Sequence, residues 1–282
     1  MSEAFRIKRP GSAVERYGPW PPPPFREDRV KLTSPEELKS WILYEDDDLL
    51  VVNKSGEVVC HPSKFGPTSS LVGAAREYTG IAKIHLIFRL DRETSGVVVM
   101  AKNPETASRL QTAVQKRRVG KTYLAILTGE LRQQVTVNQP LGADEKSPVW
   151  VKDMVRSDGK PALSHFEPLC SANGFTLVRV TIETGRKHQI RAHAQWLEHG
   201  VVGDKIYGPD DNHYLEFIET GWTAKLAEKL LLKRQALHCT EIDLNPAGVP
   251  MVFRAPLPAD LREFAKKYLP EAELDLSKLL DQ

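Results

Sequence analysis

Long apolar runs are missing from this chain. None approaches the roughly 20 residues that a bilayer-spanning helix needs, and the opening MSEAFRIKRPGSAVERYG has no apolar signal core. Both absences point to an intracellular, cytoplasmic protein without a membrane partner. Cysteine is scarce as well. Cys60, Cys170 and Cys239 lie far apart and are odd in number, which argues against a disulfide framework and a clustered thiolate metal site. No excess charge of either sign marks a partner, since the formal net charge is only +2. No Gly-x-Ser-x-Gly occurs, so a nucleophile elbow is excluded. Gly120-Lys121-Thr122 resembles the end of a phosphate loop, but position 115 is Gln where that loop needs glycine. His188, His193 and His199 stand five and six apart, not at the spacing of about four that pairs zinc ligands on a helix. Neither a metal nor a cofactor is expected.

What is present begins with a proline-rich, charged stretch. Residues 1–35 read as an extended arm without a core of its own, 36–270 as one globular domain and 271–282 as a tail. Helices are predicted at Glu36–Leu43, near Ser69–Tyr78, from Asn103-Pro104 onward, and from Gln189 to His199. Asn103-Pro104 is a helix start of the N-cap-then-proline kind. Strands are predicted at Leu49–Asn53, Ile84–Leu90, Val97–Lys102, Tyr123–Leu127, Trp150–Val155, Ala162–Cys170, Phe175–Thr184, Gln235–Leu244 and Val249–Arg254. Short turns such as Ser157-Asp158-Gly159 and Ala172-Asn173-Gly174 join several of them. The expected class is therefore α+β, a mixed and mainly antiparallel central sheet with flanking helices.

Two polar islands interrupt this pattern. In IFRLDRETSG (87–96), Arg89 and Asp91 stand two apart between apolar stretches, a spacing that shares one face on an extended chain. For a single loop aspartate, capping a turn is the commoner role. A rigid strand end opening into a loop is nonetheless a good mount for a reactive carboxylate. In IETGRKHQIRAH (182–193), an alternating strand runs into Gly185 and a helix that begins near Gln189. Arg186, Lys187 and Arg191 gather at that helix N-terminus, where the dipole disfavours cations unless an anion is near. Asp91 with Arg191 is one candidate pairing, and it would keep the aspartate ionised. A second basic cluster, Lys116-Arg117-Arg118 with Lys121, is compatible with a polyanion or with solvated helix ends.

FRLDRETSGVVVMAKN (88–103) resembles the catalytic-loop signature of RluA-type pseudouridine synthases, usually His-Arg-Leu-Asp followed by Thr-Ser-Gly. VVNKSGEVVCHPS, KTYLAILTGE, SDGKPALSHFE, ETGRKHQIRAHAQWLEHGVVGDKIYG, RQALHC and MVFRAPLP match further family segments, in order, across roughly residues 45–258. Phe88 stands at the usual histidine and Ser55 at the usual proline.

The resemblance implies a pseudouridine synthase fold with an RNA-binding cleft. The implied enzyme breaks the base–ribose bond of a uridine in ribosomal or transfer RNA, rotates the uracil and rejoins it through carbon 5. It implies Asp91 as catalytic carboxylate, by attack on the anomeric carbon or by a glycal route. Tyr123 would stack on the uracil, Arg191 would hold Asp91, and Arg89 would help fill the space left by the flipped base. Arg186, Lys187, His188 and Gln189 are expected substrate contacts, with structured RNA as partner and a monomer as the working state. Three rivals compete with this reading: a non-enzymatic RNA binder, an RNA hydrolase and a protein-interaction scaffold. Asp91, Tyr123 and Arg191 are all present, and neither a second catalytic carboxylate nor a metal cluster stands out, so the enzyme reading leads.

Overall fold

The computed structural model describes residues 30–61 and 66–270. The expected tail, and all but the last six residues of the expected arm, lie outside them. Among the described residues ten strands form one sheet. Its main path runs β1 (Ile42–Glu45), β2 (Leu49–Lys54), β4 (Ser95–Ala101), β11 (Leu237–Asp243), β5 (Gly120–Thr128), β10 (Phe175–Ile182), β9 (Leu163–Ala172) and β6 (Val135–Asn138). β3 (His85–Leu86) pairs with β4, and β12 (Val252–Arg254) pairs with β11. β7 (Leu141–Ala143) and β8 (Asp153–Val155) form a separate hairpin. Every pairing in the sheet is antiparallel except β4 with β11. The mixed, mainly antiparallel α+β architecture is the one that the alternating strands and short turns predict.

Local chemistry accounts for the elements. β4 reads SGVVVMA and is buried along its whole length, as a central strand covered on both faces must be. The helices α1 (Pro35–Ser40), α2 (Leu71–Thr79) and α3 (Pro104–Gln115) begin at Ser34, Ser70 and Asn103. Each of those side chains accepts a first-turn N–H, satisfying a donor that the helix itself cannot. α4 (Gln189–Trp196) packs on β8 and β9, followed by α5 (Asn212–Thr220), α6 (Ala224–Leu230) and α7 (Ala259–Tyr268). The sheet carries one large core. A smaller one, Leu141, Val149, Ala162, Ala192, Ile206 and Tyr207, sits beneath α4 and the β7–β8 hairpin.

Several boundaries differ from the sequence reading. The first helix stops at Ser40, and Ile42–Glu45 becomes an edge strand because Ile42 and Tyr44 pack on the core while Leu43 turns outward. The strand expected over Ile84–Leu90 shrinks to His85–Leu86. Residues 87–94 form an irregular loop, so the alternation that put Arg89 and Asp91 on one face does not apply. Trp150 and Val151 precede β8 rather than join it, and Val249–Met251 likewise precede β12. β6, β7, α5, α6 and α7 were not anticipated.

Candidate active site

Residues 87–94 leave β3 and return into β4, and neighbours from across the chain pin this loop backbone. The buried Lys54 ammonium donates to the carbonyls of Ser55 (2.6 Å), Val58 (2.9 Å) and Arg92 (3.0 Å). Cys60 donates to the Leu90 carbonyl at 3.4 Å. Arg234 donates to the Glu93 carbonyl at 3.0 Å while gripping Asp260 through Nε and Nη2. Lys205 holds the Glu93 carboxylate at 2.7 Å, and Gln235 donates to the Thr94 hydroxyl at 2.6 Å. The buried Ser95 hydroxyl lies 2.9 Å from His238 Nδ1. A loop held at this many points can present one side chain in a fixed geometry, which is what positioning a reactive group requires.

That side chain is Asp91. Arg191, from the first turn of α4, donates from Nη1 to Asp91 Oδ2 at 2.9 Å. The same guanidinium forks onto Asp204, with Nε to Oδ2 at 2.5 Å and Nη2 to Oδ1 at 2.8 Å. Asp204 is fully buried and also accepts the backbone N–H groups of Ile206 and Tyr207. The Asp91 side chain is 30% exposed and opens to the cleft. Burial works against a charge on Asp91, but His188 and Arg191 outweigh it and hold the carboxyl below its ordinary value. Burial and the Arg191 charge pull His188 itself down to about 4. The ring is therefore neutral near pH 7, and Arg191 is the cation that keeps Asp91 ionised.

Asp91 faces a cleft of about 810 Å³. Tyr123 on β5 lines it and is 6% exposed. Burial, with Cys239 and the Asp91 charge beside it, pushes the phenol well above its usual value, so it stays protonated. Phe88 lies half-buried against the core with the Lys121 ammonium 5.4 Å from its ring centre. Arg89 is exposed at the rim, near Cys60 and His61. On the far wall α5 contributes Tyr214, Phe217 and Ile218.

The basic turn before α4 is more heavily committed than its sequence suggests. Arg186 Nε donates to the Pro161 carbonyl at 3.0 Å, and Lys187 pairs with Asp153 at 2.8 Å. Gln189 uses both ends of its amide inside the protein, accepting from Thr184 and the Arg186 N–H and donating to Leu163 and Ser164. The histidines are engaged separately: His193 with Ser164 and Gln139, His199 with the Thr128 carbonyl. Among the described residues no group of side chains could hold a metal ion. Asp204, Tyr207 and Lys54 escaped the sequence reading, although their segments were singled out. The signal for Asp204 and Tyr207 was the GDKIYG stretch that resembles a family segment, to which no role was attached.

A family model for RNA pseudouridylate synthases matches residues 48–196. Ribosomal large subunit pseudouridine synthase D of Salmonella typhimurium is 34% identical over 236 residues, covering 80% of this chain and 69% of that protein. Its namesake in Vibrio vulnificus is 32% identical over 256 residues, covering 88% and 76%. Two solved human proteins, RNA pseudouridylate synthase domain containing 4 and domain containing 1, share the fold. Their TM-scores are 0.64 and 0.63 at 23% identity, covering 82% and 88% of this chain and 94% and 96% of theirs. The chain thus belongs to the RNA pseudouridylate synthase family, in its RluA type, and is an isomerase that converts uridine in RNA to pseudouridine.

Proposed function

We propose that Asp91 is the catalytic carboxylate and that the target is a uridine in ribosomal or transfer RNA. The observation that carries the first part is an ionised carboxylate on a multiply pinned loop, held by Arg191 and open to the cleft. The reaction breaks the bond from ribose C1′ to uracil N1, forms one from C1′ to C5, and moves the C5 proton to N1. Its balance calls for no oxidant or reductant. Asp91 acts on the ribose, by attack at C1′ or by a glycal route, and Tyr123 packs against the uracil. The target must leave the stack to reach the loop, at a cost of a few kcal/mol. Contacts from Arg89, Arg186, Lys187 and His188 to the RNA offset that cost, with Arg89 filling the space the base vacates. Gln189 supports this turn from behind.

The curated relatives' names favour ribosomal RNA of the large subunit over transfer RNA. We further propose that the protein works as a monomer, in the cytoplasm. The test incubates the purified protein with RNA from cells lacking its gene and maps pseudouridine by chemical probing. New signal at one or a few uridines is expected, and Asp91→Asn should abolish it while RNA binding persists. Undiminished signal from Asp91→Asn would remove Asp91 from the chemistry.

A further inference from the structure

His188 occupies backbone angles of φ 55 and ψ 20, in the left-handed region that strains a non-glycine residue. Its ring lines the cleft with Asp91 and Arg191. Nδ1 lies 3.0 Å from the Tyr207 hydroxyl, and the two rings meet edge-on with centroids 5.5 Å apart. Tyr207 is 1% exposed, and its oxygen already accepts the Asp153 backbone N–H at 2.9 Å. A phenol has one proton to give. If His188 donated to this oxygen as well, the Tyr207 hydrogen would be buried without an acceptor, a loss of about 1–3 kcal/mol. The proton therefore goes to His188 Nδ1, and the neutral ring carries its own hydrogen on Nε2. Nε2 has no hydrogen-bond partner among the described residues, and it is not a sealed, unsatisfied atom.

We propose that His188 is a fixed hydrogen-bond donor to the target nucleotide, presenting Nε2–H to an acceptor oxygen of the flipped uridine, with Tyr207 as its positioning residue. This rests on the isomerase reading above. A ring with hydrogen on Nε2 cannot take a proton at that atom, so His188 binds and orients and does not act as the base. The Tyr207 ring also lies under the Arg191 guanidinium, 4.9 Å from its centre. Tyr207→Phe leaves that stacking in place and removes only the hydroxyl.

The experiment has two arms. Long-range proton–nitrogen spectra of the full chain with nitrogen-15 histidine should show His188 as the single Nε2–H tautomer, and mixed tautomers in Tyr207→Phe. An Nδ1–H ring in the unaltered protein overturns the proposal. In pseudouridine kinetics, His188→Leu should lower kcat/KM by about tenfold or more, the value of one hydrogen bond to substrate. His188→Gln, whose amide N–H can occupy the Nε2 position, should recover to within about threefold. Tyr207→Phe should lose several-fold alone and far less in the His188→Leu background, because its main effect passes through His188 and only the bond to the Asp153 N–H lies outside that route. Losses that multiply, or His188→Leu as active as the unaltered protein, overturn this proposal alone. An unaltered protein that forms no pseudouridine overturns the parent reading and this one with it.

Discussion

The guanidinium of Arg191 serves two carboxylates unequally. Asp204 takes Nε and Nη2 as a fork in a fully buried pocket, while Asp91 takes the remaining Nη1 and keeps a face toward the cleft. The buried fork fixes the arginine, and the fixed arginine orients Asp91. Replacing Asp204 leaves a buried cation with half its partners, which costs about 3 kcal/mol. For Asp204→Asn we expect a melting temperature lower by on the order of 10 °C and a fall in pseudouridine formation, although Asp204 touches no substrate. A thermal melt checks the first outcome, and an unchanged midpoint would show that Arg191 does not depend on the fork. Arg191 and Asp91 were legible as a pair from charge and position. Asp204 was not, because thirteen residues of loop and helix separate it from its partner.

The loop over 87–94 shows how one element borrows order from others. It has almost no regular structure, yet β2, α4, the Lys205 turn and the segment before β11 each hold part of it. Its exit into β4 depends on Gly96, at φ +115 beside the parallel strand β11. A Cβ there would sit 2.1 Å from the Cys239 carbonyl oxygen, and that oxygen belongs to backbone and cannot swing away. Gly96→Ala should therefore cost roughly 3 kcal/mol or more, from left-handed strain plus forced separation of two central strands. The urea midpoint is the measurement, and a shift equivalent to less than about 1 kcal/mol would mean the strands part easily.

Across the molecule, several buried groups set how the fold meets acid. Burial is the main cause that brings His188 and His238 down to about 4, so both are neutral in the native protein. Unfolded, each takes a proton below its ordinary value of 6.5. Between about 6.5 and 4 the unfolded chain thus binds more protons than the native one, and stability must fall as pH falls. For His238, which is fully buried, the loss is on the order of 3 kcal/mol. Asp91 and Asp204, held below their ordinary 3.8, extend the loss below that pH. Urea midpoints should drop steadily from pH 6.5 to 4, and a flat profile would show that neither histidine is neutral in the fold.

The sequence by itself determined the class of the sheet, most of its strands, the capped start of α3, and the segments that carry the chemistry. Those features depend on local periodicity, turn chemistry and short motifs, which a chain expresses within a few residues. It also placed a carboxylate and an arginine where they could meet. Tertiary structure decided the rest. Ile84–Leu90 looks like a strand in isolation, but anchors such as Lys54, Cys60 and Arg191 draw its end into an open loop. Only the packed fold shows that the Gln189 amide bonds Thr184, Leu163 and Ser164. Ionisation, tautomer and loop shape depend on groups as far as 141 residues apart, as between Arg234 and Glu93, and only the packed fold brings such partners within reach.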